Sequence, residues 1–405
     1  MKILHTSDWH LGQYFKTRSR EDEHQKFLNW LENIIEEQSI DILVVAGDIF
    51  DTQNPPKYAL TMYHDFLVQM TQSSCKDVVI VAGNHDSVAT IEMTKNFAKL
   101  LNIHIVGSGE EVEDVIVSIK KDDKLEAIVC AVPYLRDRVI RDASTLKDNK
   151  ALEKEYKDGL KTYYKNIYEK AKEISDEVPI IATGHFTTTG ASKNEDSDSA
   201  ERELYIGKLS AVDSDILSMF DYVAMGHLHK SQKIDSKEYM RYSGSPIPLS
   251  FSEALQKKSV IVVEFEGKNL KETQKVDIPT FKGIFTIVDT LENIKLKIEE
   301  IKDIENRPFI DIIINGDILD IDIKDFKNEM YEKGVDIISI KKAKQIEDKV
   351  LLDEQEDIKL EQLGALNVFE KRLNLDEHIK DDAELKTKLI HEYNIILEEL
   401  QNEDN

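Results

Sequence analysis

Seven side chains of types that commonly bind divalent metals are spread over five short motifs along this sequence. They are Asp8, His10, Asp48, Asn84, His185, His227 and His229. This mixture of carboxylate, imidazole and amide donors suits manganese, iron or zinc better than calcium or magnesium, which prefer shells made only of oxygen. The residue types therefore predict a metal centre, and manganese is the metal that we expect.

The number of candidate ligands indicates two metal ions rather than one. A pair of divalent cations roughly 3.5 to 4 Å apart activates a water molecule and holds both the attacking and the leaving oxygen of a phosphoryl transfer. Such a pair needs one carboxylate that bridges the two ions. Asp48 lies between the other candidates in chain order, so we expect it to be the bridging ligand.

His85 directly follows the candidate ligand Asn84, so its side chain can face a substrate while Asn84 faces a metal. An imidazole in that position is suited to act as a general acid for the leaving alkoxide, or to stabilise charge on the phosphate. Asp86 comes next, and we expect its carboxylate to orient the imidazole. His85 and Asp86 are therefore the predicted catalytic residues.

Each motif taken alone has a simpler explanation. Gly47-Asp48 after an apolar run commonly forms a tight turn, and a single histidine such as His185 is commonly a satisfied polar residue near a core. His227 and His229 are compatible with an incidental pair on a strand. The joint occurrence of these motifs, each at the end of an apolar run, favours one shared site over several separate accidents.

The elements that must position these residues are visible as short apolar runs, one before each motif. The runs are Ile3-Leu4, 42–46, 78–82, 179–182 and 222–225, and amphipathic stretches typical of helices, such as 20–37 and 149–174, lie between them. Open α/β sheets bind ligands at the carboxyl ends of their strands. We therefore expect an α/β fold over residues 1–280, a two-sheet β-sandwich flanked by helices, with residues 231–276 as antiparallel strands packed on a second sheet.

The rest of the chain has a different pattern. Residues 281–345 contain three strand-like runs separated by helical stretches, which predicts a separate small α+β domain. Residues 346–405 lack strand signals, are acidic and have apolar residues at helical spacing near their end, which indicates C-terminal helices. Such helices are suited to docking on a partner, and folding back on the chain's own domain is an equally good explanation.

The charge of the chain limits how it binds nucleic acid. A formal net charge of -25 argues against indiscriminate binding to a polyanion, because such binding needs lysine and arginine to neutralise phosphates. Metal cations or a partner protein would have to supply positive charge. The candidate DNA contacts, for each of which solvated surface charge is the alternative, are Lys16, Arg18, Arg20, Arg136 and Arg138.

Two cysteines far apart in the sequence argue against a disulfide framework and against a cysteine metal site. No apolar run approaches the ~20 residues that are needed to cross a bilayer, and the first residues show no secretory signal pattern. We therefore expect a cytoplasmic protein without a membrane partner.

The five motifs together resemble those of the calcineurin-like metallophosphoesterases. They read Asp8-x-His10, Gly47-Asp48-x-x-Asp51, Gly83-Asn84-His85-Asp86, Gly184-His185 and Gly226-His227-x-His229. Within that superfamily the segments 7–12, 47–51 and 243–251 resemble the SbcD family of bacterial nucleases, the counterparts of the eukaryotic meiotic-recombination nuclease. The resemblance is carried by strong motifs over about residues 1–255 and by layout alone beyond them.

The resemblance implies a manganese-dependent exonuclease and endonuclease that acts on DNA double-strand ends and hairpins in repair and recombination. It implies that one metal is held by Asp8, His10, Asp48 and His229, and the other by Asp48, Asn84, His185 and His227. It also implies that His85 is catalytic, that residues 281–345 cap the DNA, and that the C-terminal helices dock on a coiled-coil ATPase of the SbcC type. A homodimer of the chain within a heterotetramer is the expected assembly.

One feature of the sequence bears on this expectation. No Gly-x-x-x-x-Gly-Lys-Ser/Thr loop is present, so any dependence on ATP must come through the partner.

Two other functions are alternatives to a DNA nuclease. The first alternative is a metallophosphatase or small-molecule phosphodiesterase of the same superfamily. Its phosphatases typically have arginine where this chain has Thr52, and glutamate where it has Asp86. The second alternative is a scaffold without catalysis, which would have no need of so many ligands.

Overall fold

The structure is a computed structural model, and it describes residues 1–140, 149–191, 211–316 and 322–343. Residues 1–342 form one compact unit. The predicted acidic helices of residues 346–405 lie outside the described residues. Among the described residues, none of the helices combines the length and the apolar character that a bilayer-spanning segment needs.

The described chain alternates strands and helices, as the sequence predicts. The strands are β1 (Lys2–Thr6), β2 (Tyr14–Phe15), β3 (Arg18–Ser19), β4 (Ile42–Ala46), β5 (Asp77–Val81), β6 (Ile103–Val106), β7 (Ile116–Lys121), β8 (Lys124–Cys130), β9 (Ile180–His185), β10 (Tyr222–Gly226), β11 (Gln232–Ile234), β12 (Lys237–Tyr242), β13 (Ser259–Glu266), β14 (Asn269–Asp277), β15 (Ile284–Asp289), β16 (Phe309–Ile314) and β17 (Asp336–Lys342). The helices are α1 (Glu21–Gln38), α2 (Lys57–Met70), α3 (Val88–Ile91), α4 (Lys95–Lys99), α5 (Val112–Val115), α6 (Asp137–Ile140), α7 (Asn149–Ile174), α8 (Leu291–Ile301) and α9 (Ile323–Glu332).

Two six-stranded sheets form the body of the molecule. The first has the order β14-β13-β1-β4-β5-β6, and the second has the order β11-β12-β10-β9-β8-β7. In the first sheet β1, β4, β5 and β6 are parallel, and in the second β8, β9 and β10 are parallel. Parallel neighbours end at the same edge of a sheet. The loops after β1, β4 and β5 therefore lie side by side, and so do the loops after β9 and β10.

The parallel strands are continuously apolar because both of their faces are buried. In β4, Ile42 and Val44 belong to the core between the two sheets, whereas Leu43 and Val45 belong to the core under α1 and α2. Successive side chains of a strand point to opposite faces, so an unbroken apolar run fills both cores at once. The predicted two-sheet sandwich flanked by helices is confirmed.

The long helix predicted over residues 149–174 is confirmed as α7. Its buried residues recur at helical spacing and pack against the second sheet; they are Tyr156, Leu160, Tyr164, Ile167 and Ala171. The hydroxyl of Tyr164 donates to the backbone carbonyl of Thr183 at 2.9 Å. This contact fixes α7 against the strand that ends in His185.

Residues 231–276 form strands as predicted, and one of their pairings departs from the predicted antiparallel arrangement. β11 and β12 do join the second sheet, but β12 is parallel to β10. β13 and β14 are antiparallel and extend the first sheet beyond β1. An alternating pattern identifies a strand and its buried face, but it does not name the neighbour with which the strand pairs.

Strands β15, β16 and β17 form a three-stranded parallel sheet, and α8 and α9 follow β15 and β16 along the chain. A hydrophobic core of its own includes Ile294, Ile298 and Ile312. The strands and helices that the sequence predicts for this region are therefore confirmed. Phe309 of β16 stacks on Phe15 of the β2–β3 hairpin at 5.3 Å between ring centroids.

Candidate metal centre

The five predicted motifs stand at the carboxyl ends of five strands. Asp8 and His10 follow β1, Asp48 follows β4, and Asn84 follows β5 of the first sheet. His185 is the last residue of β9, and the pair at 227 and 229 follows β10 of the second sheet. Because these strands are neighbours in two sheets that pack face to face, their ends bring all seven candidate side chains into one cluster.

Asp48 occupies the middle of the cluster. Its Oδ2 lies 3.1 Å from Nε2 of His185 and 3.6 Å from Nε2 of His10. His10 comes from the first sheet and His185 from the second, so this one carboxylate lies between the two groups of ligands. That position is suited to a bridging ligand.

Asn84 joins the ligands of the second sheet. Its Oδ1 lies 3.1 Å from Nε2 of His185 and 3.1 Å from Nδ1 of His227. The rings of His185 and His227 meet edge to face at 5.3 Å between centroids. Amide oxygen and imidazole nitrogen thus converge on one point beside Asp48.

The other group contains Asp8, His10 and His229. One donor atom from each of these three residues lies within 4.8 Å of the others. The rings of His10 and His229 are 5.2 Å apart between centroids. The backbone N–H of His227 donates to Oδ1 of Asp8 at 2.8 Å, which ties the loop after β10 to the loop after β1.

The state of the imidazoles fits a pair of divalent cations. Both ring nitrogens of His10 are buried and lack a hydrogen bond of good geometry, and carboxylate oxygens of Asp51 and Asp48 lie 3.3 and 3.6 Å away. Nδ1 of His185 donates to the carbonyl of Ala46 at 2.9 Å, so Nε2 is the ring nitrogen that faces Asp48 and Asn84. A second hydrogen bond of this kind is the usual way in which proteins orient a histidine that binds a metal.

Glycines before the ligands allow the loops to approach this closely. A Cβ atom on Gly47 would lie 2.3 Å from Nδ1 of His185, and one on Gly83 would lie 2.1 Å from Oδ1 of Asp48. A Cβ atom on Gly226 would lie 2.0 Å from the carbonyl oxygen of Ala46. The glycine in these motifs therefore has a steric reason, since any side chain there would displace a ligand or the strand end that supports it.

The backbone of several ligands has a positive φ angle, which residues other than glycine rarely adopt. The φ angles are 53° at Asp8, 48° at His10, 51° at Asp48 and 94° at His227. Each costs on the order of 1–3 kcal/mol and persists only where the surrounding structure enforces it. Strained residues cluster at functional sites, so their concentration here supports a functional assignment of this cluster.

His85 lies at the rim of the cluster, half-buried, with its ring 4.9 Å from the ring of His10. Its Nδ1 donates to the backbone carbonyl of Asp51 at 2.8 Å, and its backbone N–H donates to Oδ1 of Asp48 at 2.9 Å. Burial lowers the pKa of His85, although the charge of Asp48 opposes this effect.

Asp86 does not orient His85, contrary to the prediction. Its buried carboxylate accepts hydrogen bonds from the backbone N–H groups of Gly83, Phe50 and Ile49 at 2.7, 2.9 and 3.1 Å. The carboxylate therefore holds the loop after β4 against the loop after β5. The group that orients the imidazole of His85 is the carbonyl of Asp51.

The charges of the cluster shift the pKa of its members in opposite directions. Burial opposes the charged form of His10, but Asp51 and Asp48 outweigh it and raise the pKa of His10 to about 9. Asp48 likewise outweighs burial and raises the pKa of His185 to about 9. Burial and the charge of His185 lower the pKa of His227 to about 3. Without a metal, the cluster therefore holds protons on His10 and His185.

The predicted DNA contacts have different environments. Lys16 and Arg136 are exposed. Arg18 makes a bidentate ion pair with Asp336 at 2.6 and 2.9 Å, and its side chain is 47% exposed. The side chain of Arg138 lies outside what the structure describes.

Arg20 is not a DNA contact, contrary to the prediction. It has no exposed surface, and its guanidinium pairs with Glu23 at 2.5 Å and donates to the carbonyl of Pro248 at 2.8 Å. The same group lies 5.1 Å from the centroid of the Phe15 ring. A guanidinium that is enclosed in this way packs the hairpin after His10 and does not reach a ligand in solvent.

Three residues that support the ligands were not predicted as functional. Oδ1 of Asp51 lies 3.3 Å from Nδ1 of His10, and the hydroxyl of Ser7 donates to Asp8 at 2.5 Å. Glu253 accepts from Nδ1 of His229 at 3.2 Å. Asp51 and Ser7 lie inside the quoted motifs, where their spacing is a usable signal. Glu253 is an ordinary acidic residue in a loop, and no local pattern marks it.

Comparison with known proteins gives related results at two levels. The sequence profile described as calcineurin-like phosphoesterase matches residues 1–231. The SbcD component of the SbcCD nuclease of Escherichia coli (strain K12) is 35% identical over 408 residues, and the alignment covers 100% of this chain and 99% of the relative. The SbcD proteins of Rhodobacter capsulatus and Bacillus subtilis (strain 168) are each 32% identical. These two alignments cover 66% and 65% of this chain, and 67% and 66% of the respective relative.

Proposed function

This chain belongs to the calcineurin-like phosphoesterases and, within them, to the SbcD family of the SbcCD nucleases, and we propose that it is a metal-dependent DNA nuclease. It hydrolyses phosphodiester bonds at double-strand ends and in hairpins, in DNA repair and recombination. The observation that carries this proposal is the convergence of seven metal-ligand side chains, with His85 beside them, at the ends of five strands. Because the substrate is chromosomal DNA, we place the protein in the cytoplasm.

Two divalent cations fit the cluster, and we propose manganese on the mixture of imidazole, carboxylate and amide donors. Asp8, His10, Asp48 and His229 would hold one ion, and the other would be held by Asp48 together with the three remaining ligands, which are Asn84, His185 and His227. When bound, such a pair supplies Lewis-acid activation of water and neutralises charge on the phosphate.

His85 is the proposed catalytic residue among the protein's own groups. Nδ1–H of His85 donates a hydrogen bond to the carbonyl of Asp51, which fixes the ring. Nε2 is therefore the nitrogen available to the substrate. In the imidazolium form, Nε2 donates a proton to the leaving oxygen or stabilises the charge on the phosphate. Burial makes this imidazolium a stronger acid, since it lowers the pKa of His85.

The test of this proposal compares two substrates. Purified protein with Mn²⁺ is expected to degrade linear duplex DNA and to release little product from a chromogenic phosphomonoester. Hydrolysis of the monoester alone would overturn the proposal in favour of the superfamily's phosphatases. Addition of an SbcC-type ATPase with ATP is expected to increase DNA cleavage, because the chain has no phosphate-binding loop of its own.

We also propose a homodimer, within a heterotetramer with the ATPase. An apolar stripe on the surface, which follows the Asn84 loop along the chain, supports a second copy as the occupant. Four exposed apolar side chains recur at helical spacing on and around α4. They are Met93 (67% exposed), Phe97 (77%), Leu100 (82%) and Leu101 (55%). Surface patches of this kind mark interaction sites. Sedimentation velocity is expected to give a dimer that Phe97→Lys dissociates, and an unmutated chain that stays monomeric would contradict the proposed assembly.

The three-stranded unit of residues 284–342 is proposed to cap the DNA. Its position is set by the hairpin that follows His10, through the Arg18–Asp336 ion pair and the stacking of Phe15 on Phe309. Lys16 lies in the turn of that hairpin and is exposed, so it is a candidate contact to a phosphate. The C-terminal helices of residues 346–405 are proposed to dock on the ATPase.

A further inference from the structure

A buried ion pair lies directly behind the metal ligand His229. Nζ of Lys258 lies 2.5 Å from Oε2 of Glu253, and the two side chains are only 6% and 3% exposed. Removing two charges from water is costly, and their attraction compensates for it only where further hydrogen bonds complete the geometry. An ion pair this deep therefore needs a reason beyond general stability.

Both members of the pair bind the same residue. Oε1 of Glu253 lies 3.2 Å from Nδ1 of His229, and Nζ of Lys258 donates to the backbone carbonyl of His229 at 3.0 Å. One partner thus holds the imidazole, and the other holds the peptide that carries it. Nε2 of His229 is left as the nitrogen that a metal can bind.

The remaining hydrogen bonds of the pair are made by the loop between β12 and β13. Lys258 donates to the hydroxyl of Ser245 at 2.9 Å, and Oε2 of Glu253 accepts from the backbone N–H of Leu249 at 3.3 Å. The backbone N–H of Ser245 donates to the carbonyl of His229 at 3.2 Å. The loop is therefore folded around the ion pair and, through it, around His229.

The electrostatics agree with an ionised carboxylate at this position. Burial opposes the charge, but the ammonium of Lys258 and the hydrogen bond from His229 outweigh it and hold the pKa of Glu253 well below its usual range. Glu253 accepts from the ammonium of Lys258 and from the backbone N–H of Leu249, so it meets His229 as a hydrogen-bond acceptor and the shared proton belongs to Nδ1.

We propose that Glu253 and Lys258 are positioning residues of the metal centre, which together fix the tautomer, the ring orientation and the backbone of His229. The proposal rests on the proposed function of that centre. A carboxylate that accepts a proton from the imidazole of a metal ligand orients the ring and raises its basicity, and loss of such a partner typically weakens metal affinity about 10- to 100-fold. Lys258 acts one step further away, because its ammonium holds the carboxylate of Glu253 in place through the ion pair.

The test measures Mn²⁺ binding by isothermal titration calorimetry in the absence of DNA. Glu253→Gln is expected to weaken one of the two Mn²⁺ sites about 10- to 100-fold, because the amide presents a weaker acceptor to His229. Glu264→Gln is the matched control, since Glu264 makes an ion pair with Lys271 on the solvent side of β13 at 2.7 Å. Equal affinity in Glu253→Gln, the control and the unmutated chain would overturn the proposal.

A second measurement uses the unmutated protein and does not depend on whether a variant folds. Long-range ¹H–¹⁵N NMR of the metal-free chain is expected to show His229 with its proton on Nδ1. A proton on Nε2 would overturn the role of Glu253. Lys258→Met is expected to weaken Mn²⁺ binding in the same direction as Glu253→Gln, and undiminished binding in a folded Lys258→Met chain would remove Lys258 from the proposal.

These outcomes are separate from those that test the nuclease. A chain that binds two Mn²⁺ ions but leaves duplex DNA intact contradicts the proposed function and does not alter the readings for Glu253. Unchanged Mn²⁺ affinity in Glu253→Gln, together with normal cleavage, contradicts only the positioning role.

Discussion

At the scale of single residues, His85 is the proposed catalytic group, because its Nδ1 is bonded to the carbonyl of Asp51 and its Nε2 remains available to the substrate. We expect His85→Gln to keep both Mn²⁺ sites within about 3-fold of normal affinity and to lower the DNA cleavage rate by about 100-fold or more, since general acid catalysis contributes typically 10²–10⁴-fold. Metal titration together with a single-turnover nuclease assay measures both effects. Near-normal cleavage by this variant would remove His85 from the mechanism.

Asp48→Ala provides the opposite result for comparison. Because the carboxylate lies between His10 and His185, its loss should abolish binding at both sites rather than at one. Retention of two Mn²⁺ ions per chain, counted by elemental analysis after gel filtration, would show that Asp48 does not bridge.

The pKa values of the metal-free ligands predict that metal binding releases protons. His10 and His185 have pKa values of about 9, so both are protonated at pH 7, whereas a metal binds the neutral imidazole. The apparent affinity for Mn²⁺ should therefore increase as the pH is raised towards about 9. Each displaced proton contributes an increase of up to about 10-fold per pH unit. Calorimetry at pH 7.5 in buffers of different ionisation enthalpy is expected to detect between one and two released protons. Binding without proton release would contradict this picture.

At the scale of elements, a glycine at the end of β4 decides how closely the two sheets approach. A Cβ atom on Gly47 would lie 2.3 Å from the His185 ring, and its φ of +92° is unfavourable for any other residue. Gly47→Ala is expected to lower the free energy of unfolding by about 1–3 kcal/mol and to weaken metal binding, because His185 must move.

Gly267→Ala is the control for this variant. Gly267 also has a positive φ, of +59°, but a Cβ atom there would meet nothing within 4 Å. Gly267→Ala should lower the melting temperature slightly, because of its positive φ, and should keep normal Mn²⁺ affinity. Equal metal affinity in both variants would mean that the approach of Gly47 to His185 is not critical.

The elements that carry the site could be predicted from the sequence, because their signals are local. An apolar run such as 42–46 identifies a buried strand, and Asp48 directly after it identifies the edge where ligands collect. The partners of a strand are not local information, so the parallel pairing of β12 with β10 was missed. The same limit applies to Glu253, whose contact with His229 depends on the path of a whole loop, and to Arg20, whose burial depends on Phe15 and Phe309.

At the scale of the whole molecule, the metal centre lies where the two sheets meet, beside hydrogen bonds such as those from His5 to Tyr222 and Met225. Four candidate ligands stand on the first sheet and three on the second. A ligand that binds only the folded state stabilises it by about 2.7 kcal/mol at 100 times its Kd. We expect Mn²⁺ to raise the melting temperature and EDTA to lower it, with Asp48→Ala insensitive to both. A melting temperature that ignores Mn²⁺ in the unmutated chain would contradict this coupling.

The ligands of the centre come from both sheets, so bound cations would cross-link the two sheets within one polypeptide. Removal of the cations would therefore abolish catalysis and also remove a cross-link between the two sheets. We expect limited proteolysis to cleave the metal-free chain faster than the chain with Mn²⁺, because bound cations stabilise the folded state in which the two sheets are packed together.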